Sequence, residues 1–228
     1  MLAPAAWPAV AARAGESLLV LPIGSTEQHG PHLPLGTDTC VARALAERLA
    51  AARDDVIVAP ALPYGASGEH ASFAGTLSIG TTVLRDVLVE IVRSADAFAG
   101  VVLVSGHGGN AAALRDAVAI GRAESRRVMA WEPRRGVLVN AGRTPDAHAG
   151  RTETSLLLAI SPAQVHPDRA EAGNLRDLDE LLGALRAGGV AAVSPNGVLG
   201  DPTGATADEG VELLDALGAD LVAAVAAW

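Results

Sequence analysis

Three short segments concentrate side chains that bind metals. Glu27 and His29 stand two residues apart in the run Gly24-Ser-Thr-Glu-Gln-His-Gly-Pro-His32, and Asp38 follows nine residues after His29. His107 lies in Ser105-Gly-His-Gly-Gly-Asn110, and Glu153 comes five residues after His148. In an extended segment residues i and i+2 point the same way, so Glu27 and His29 would face one site. Glu27, His29, Asp38, His107 and Glu153 together offer three carboxylates and two imidazoles from three separate segments. That donor set suits zinc, manganese or ferrous iron without thiolates. Cys40 is the sole cysteine, which excludes an internal disulfide and a thiolate cluster, and it reads as a small core residue.

Each of these residues also has a plainer reading. A single loop histidine is ordinarily solvated or hydrogen bonded, and Asp38 precedes a helical stretch that it could simply cap. Beside Glu27 and His29, the metal role is preferred for Asp38. His32, in Pro-His-Leu-Pro, is placed behind the ligands, and His166, before Pro167 and Asp168, is placed at the surface. A rival motif is Gly106-His-Gly-Gly-Asn-Ala111, which fits the G-x-G-x-x-A dinucleotide fingerprint of a nicotinamide-dependent oxidoreductase, with Glu132 as a ribose acceptor. It assigns nothing to Glu27, His29, Asp38, His148 or Glu153 and puts a histidine where a diphosphate should approach. No G-x-S-x-G elbow occurs, and Ser67, in Gly-Ala-Ser67-Gly, reads as a turn residue.

Composition narrows the mechanism further. All 17 basic residues are arginine, against 26 acidic ones, for a net charge of -9 over 228 residues. Without lysine there is no Schiff base, P-loop lysine or lysine general base. Basic charge is clustered only in the pairs Arg126-Arg127 and Arg134-Arg135, so no nucleic-acid partner is expected. No apolar run reaches the ~18 residues of a membrane span. Residues 1–14 hold Pro4 and Pro8 with no positive charge before Arg13, unlike a secretory signal, and a cytoplasmic location is the expectation.

The elements that must position these residues follow from hydrophobic periodicity. Apolar runs at 17–23, 56–59, 101–105 and 128–131 read as buried strands, with helical spacing at 39–52, 82–97 and 111–125 between them. Short, fully apolar strands alternating with helices predict an α/β fold with a mostly parallel central sheet and helices on both faces. Beyond Trp131 a loop with Pro133, Gly136, Gly142 and Pro145 is expected, then a short helix at 152–160 and a last amphipathic helix at 208–228 capped by Thr206 or Asp208. No repeat or linker divides the chain, so residues 1–228 are read as one domain. Ligands bind beyond the carboxyl ends of parallel strands. Five of the six histidines fall in loops expected at that edge.

The segments Gly24 to Asp38, Ser105 to Asn110 and His148-Ala-Gly-Arg-Thr-Glu-Thr-Ser155 resemble those of the creatininase family of metal-dependent amidohydrolases. The resemblance covers most of the chain. It implies a layered α/β sandwich in a homo-oligomer, with two divalent ions at positions matching Glu27, His29, Asp38 and His107, Asp38 bridging them. It implies His148 as the catalytic histidine, and water activated by the ions against an amide carbonyl. Creatininases proper carry His-x-Glu where this chain has His107-Gly-Gly109, which argues against creatinine and leaves a ligand to come from elsewhere, with Glu153 the candidate. The loop 62–80 and the tail 172–202 are most similar to a branch that cuts a modified precursor peptide, releasing a C-terminal Val-Tyr-derived unit. Tyr64, Glu69 and His70 are then substrate contacts. A small cyclic amide or formamide is the alternative substrate.

Overall fold

The computed structural model describes residues 1–140 and 146–228; Gly142 and Pro145 of the expected loop lie outside the described residues. The strands are β1 (Leu18–Ile23), β2 (Val56–Val58), β3 (Gly100–Ser105) and β4 (Val128–Trp131). The helices are α1 (Trp7–Ala11), α2 (Thr37–Ala52), α3 (Gly80–Ser94), α4 (Ala111–Ala123), α5 (Arg135–Asn140), α6 (Arg151–Ile160), α7 (Leu178–Gly188) and α8 (Ala207–Ala226).

Among the described residues the strands form one parallel sheet in the order β2-β1-β3-β4. Every residue of β1, β2 and β3 is buried, which is why these strands, apart from Ser105 at the end of β3, carry no polar side chains. Leu18, Val20, Val102, Val104 and Trp131 point to one face and pack with Leu45 and Leu49 of α2, Leu156 and Leu157 of α6, and Leu213, Leu217 and Leu221 of α8. Leu19, Leu21, Ile23, Val101 and Leu103 point to the other, against Leu84 and Leu88 of α3 and Leu114 and Ala117 of α4. Each such leucine contributes about 1.5–3 kcal/mol on full burial, so the two cores hold the sheet in place as the base of the site.

The strand and helix expectations hold, with shifted ends: α2 starts at Thr37, and α3 stops at Ser94. Three helices were not foreseen; α1 is five residues long, in a stretch to which no element was assigned. Helix α5 lies where a loop was expected; six residues that include Gly136 are too few to show a helical period. Helix α7 does show one in Leu178, Leu181, Leu182 and Leu185, a legible signal between Gly- and Pro-rich stretches. The cap of α8 is Thr206, whose hydroxyl accepts from the Glu209 N–H.

Two glycines let the first turn of α2 wedge between the ends of β1 and β3. A Cβ at Gly24 would lie 2.4 Å from the Thr39 Cα, and one at Gly106 would lie 2.2 Å from the Asp38 carbonyl oxygen. The close approach puts Asp38 at the sheet edge. Asp38 is inside the helix and makes no cap bond, so the capping reading fails.

Candidate metal centre

From β1 the chain passes to β2 on one side, and β3 joins β1 on the other, so the connections diverge between β1 and β3. A crevice opens at such a point beyond the strand ends. The segment after Ile23 carries Glu27 and His29, and the segment after Ser105 carries His107. Helix α2 inserts Asp38 between them, and the chain before and within α6 brings His148 and Glu153. A tail strap completes the edge: the His148 N–H donates to the Leu199 carbonyl, and the Leu199 N–H returns a bond of 2.8 Å to the His148 carbonyl. Ala149, next in the chain, is held in the left-handed region at φ 51°. That conformation costs a non-glycine residue on the order of 1 kcal/mol, and here it lets the Ala149 N–H donate to Glu153 Oε2 at 2.6 Å.

The side chains fall into three overlapping groups: Glu27-His29-His148, Glu27-Asp38-His107 and His29-Asp38-Glu153. In each, ligand atoms lie within 4.8 Å of one another. Asp38 Oδ1 is 3.1 Å from His29 Nε2, and its Oδ2 is 3.3 Å from His107 Nδ1. Glu27 Oε1 is 3.2 Å from His107 Nδ1, 3.4 Å from His70 Nε2 and 3.8 Å from His148 Nδ1. Glu27 is fully buried, yet neither of its carboxylate oxygens has a hydrogen-bond partner. A buried charge left without bonds costs several kcal/mol. A divalent cation seated among these donors removes that cost, so the residues fit a metal. Backbone bonds aim the imidazoles: His29 Nδ1–H donates to the Glu27 carbonyl at 3.1 Å, turning Nε2 toward Asp38 and Glu153, and Ser25 Oγ donates to Asp38 Oδ2 at 2.6 Å.

Proton affinities reflect this crowding. Burial pulls the His29 imidazole toward neutrality, but Asp38, Glu153 and Glu27 override it and raise its pKa to about 9. His107 is likewise raised against its burial by Asp38 and Glu27. Burial, with Asp38 adding repulsion, raises Glu153 to about 7 against the pull of His29. His148 moves the other way, held neutral by burial and by the positive charge of His29 and His70. The metal-free folded protein therefore keeps protons on His29 and His107 at pH 7 that a ligated imidazole cannot hold. Ligation of both imidazoles should release two protons, and the part of the Zn2+ affinity that depends on His29 should rise about tenfold per pH unit from 7 to 8 and level off above about 9. The His29 contribution to metal-free stability runs oppositely, being complete below about pH 6.5 and lost as pH rises through about 9. Titrating Zn2+ into weakly buffered protein with an indicator dye tests the release; uptake without acidification sinks it.

A cleft of about 650 Å³ opens over the centre, with Asp38, His107, His148 and Glu153 on one side and Leu178, Leu182 and Leu185 of α7 on the other. Glu69 and His70 line it as expected, whereas Tyr64 is exposed and is not among the lining residues described. His70 is buried, its Nε2 3.4 Å from Glu27 Oε1. Sequence reasoning missed Gln28, whose amide donates to His70 Nδ1 at 2.8 Å and to the Gly197 carbonyl at 3.1 Å. Its position between two predicted ligands was the only signal. His32 is buried behind the centre, bonded to Thr154 Oγ1 at 2.9 Å, and His166 is exposed. Cys40 packs on the α2 face of the sheet. Ser67 lies in a turn. The Gly106–Ala111 fingerprint does other work: its glycines admit Asp38 and His107, and Asn110 ties Gly24 to Ala66.

A family profile for creatininase, creatinine amidohydrolase, matches residues 3–225. The chain belongs to the creatininase family. Among curated relatives it is 50% identical to a mycofactocin precursor peptide peptidase of Mycobacterium ulcerans, over 99% of this chain and 87% of that one. It is 52% identical to the enzyme of the same name from Mycobacterium tuberculosis, over 92% and 85%. Among solved structures, creatininase Mn superposes with a TM-score of 0.79 at 25% identity, covering 98% of this chain and 96% of that one. This creatininase-family chain is thus a hydrolase with an α/β fold, and its clustered donors could hold divalent metal ions.

Proposed function

We propose that this chain hydrolyses a peptide bond in the modified mycofactocin precursor peptide and releases its C-terminal Val-Tyr-derived unit, with residues 1–228 acting as one metal-dependent unit. The observation that carries the chemistry is the buried, unbonded Glu27 carboxylate at the junction of overlapping donor groups. The identity of about half the residues to relatives named as precursor peptide peptidases supports the substrate.

Glu27, His29, Asp38, His107 and Glu153 would hold two divalent ions, Asp38 facing both. Nitrogen and oxygen donors without thiolate suit zinc and ferrous iron, and manganese as well. Bound there, divalent ions supply Lewis acidity, lowering the pKa of water and polarising an amide carbonyl. His148 does the proton work. Its Nε2–H donates to the Gln28 carbonyl at 2.8 Å, so its unprotonated Nδ1 faces the centre, 3.8 Å from Glu27 Oε1. Kept neutral by burial, Nδ1 can take a proton and pass it to the departing amine, which must leave uncharged. The α7 leucines form an apolar wall for peptide side chains and limit water over the reacting bond. No helix among the described residues is long and apolar enough to cross a membrane. A cytoplasmic homo-oligomer agrees with this reading, and exposed Trp7 and Leu77 supply apolar surface for self-association.

The test is incubation of the purified protein with the modified peptide and, separately, with creatinine, before and after chelation and re-addition of Zn2+ or Fe2+. Peptide cleavage that disappears on chelation and returns with metal is expected. Turnover of creatinine without the peptide would overturn the substrate, and chelator-resistant peptide cleavage would overturn the mechanism.

A further inference from the structure

His107 presents its two ring nitrogens to opposite surroundings. Nδ1 faces Glu27 Oε1 at 3.2 Å and Asp38 Oδ2 at 3.3 Å. Nε2 faces three acceptors, all from one short turn: the Ala66 carbonyl at 3.3 Å, Ser67 Oγ at 3.5 Å and Glu69 Oε1 at 3.8 Å. A neutral imidazole has one N–H; with a cation held by Glu27 and Asp38 on the Nδ1 side, the proton goes to Nε2, whose neighbours are all acceptors. The turn at 66–69 thereby leaves the Nδ1 lone pair for a cation. Glu69 is its only charged member, partly exposed at the cleft wall with Oε1 3.8 Å from Nε2.

Gly109 gives an independent sign of the same arrangement. A Cβ built there would lie 2.3 Å from His107 Nε2, 2.5 Å from the Ala66 carbonyl oxygen and 2.8 Å from Glu69 Oε1. Its three nearest atoms are thus the imidazole and two of its acceptors, and any side chain at 109 would separate them. Position 109 and Glu69 compete for one space. Glu153, by contrast, sits with His29 and Asp38, on the other side of the centre.

We propose that Glu69, delivered by the turn at 66–69 through the gap left by Gly109, is a positioning residue that fixes the His107 tautomer for metal binding. The inference rests on the divalent-metal reading above and assigns Glu69 a role different from substrate contact. An outer carboxylate on a ligating histidine is worth about 10–100-fold in metal affinity.

The test measures Zn2+ affinity by competition with a chromophoric chelator, together with 15N NMR of the histidine rings in the zinc-loaded protein. Glu69→Ala should bind zinc 10–100-fold more weakly and lose slow exchange of the His107 Nε2 proton. Glu69→Gln, which still offers an acceptor oxygen, should stay within a few-fold of the parent. Gly109→Ala should weaken binding too, and the double variant should be no weaker than the worse single one, because both changes break one contact. The proposal is overturned if Glu69→Ala binds zinc like the parent with the Nε2 proton unchanged, or if the two losses multiply. Failure of the parent protein to take up zinc is a different outcome, which removes the metal reading and this inference with it.

Discussion

Asp38→Asn should cut amide hydrolysis by more than about a thousandfold, equivalent to the several kcal/mol that bound metal contributes to stabilising the transition state, and should strip metal from the protein. Asp38 is the side chain through which the two halves of the centre communicate: Oδ1 meets His29, and Oδ2 meets His107. An asparagine keeps the shape and one acceptor but replaces the other oxygen with an NH2 group, which carries positive partial charge toward any cation. The fold should survive, since Ser25 Oγ can still donate to the remaining oxygen and the packing of α2 relies on Val41, Leu45 and Leu49. Elemental analysis alongside turnover decides the matter. Normal metal content, or activity within tenfold of the parent, would show that Asp38 is not shared between two ions.

His148→Ala should lower turnover by about 10²–10⁴-fold, the usual contribution of a positioned acid-base group, while metal content stays unchanged. The discrimination matters because His148 also falls within reach of Glu27 and His29 as a third donor. One observation favours the proton role: its Nδ1 is 3.8 Å from Glu27 Oε1, the longest of the imidazole distances to that oxygen. Loss of one metal equivalent together with activity would reassign His148 as a ligand.

Much of this was legible in the sequence because burial leaves a pattern. The strands were readable since a sheet covered on both faces tolerates only apolar residues, and Glu27, His29, Asp38 and His107 stood out because polar clusters directly after such strands lie at the binding edge. Glu153 joined them on chemistry alone. What spacing could not disclose was contact between distant segments. Nothing local distinguishes Glu69 from the solvated glutamates of other loops, and its approach to His107 requires Gly109 from another strand end. Tyr64 shares a loop with His70 and is exposed, a difference that spacing along the loop does not disclose. Helix α7 was overlooked although its leucines repeat at helical intervals, because its surroundings lack the strands that framed the earlier helices.

The strap formed by Leu199 bears on how the protein comes into being. Translation delivers the amino-terminal portion first, and all four strands are complete by Trp131. The donors Glu27, His29, Asp38 and His107 can therefore gather on a half-made chain. His148, however, is bridged to Leu199, and Gln28 to Gly197, so its placement waits for residues from the last seventh of the sequence. On the proposed reading, a carboxyl-truncated chain would keep four of the proposed metal donors and lack the bridge that places His148.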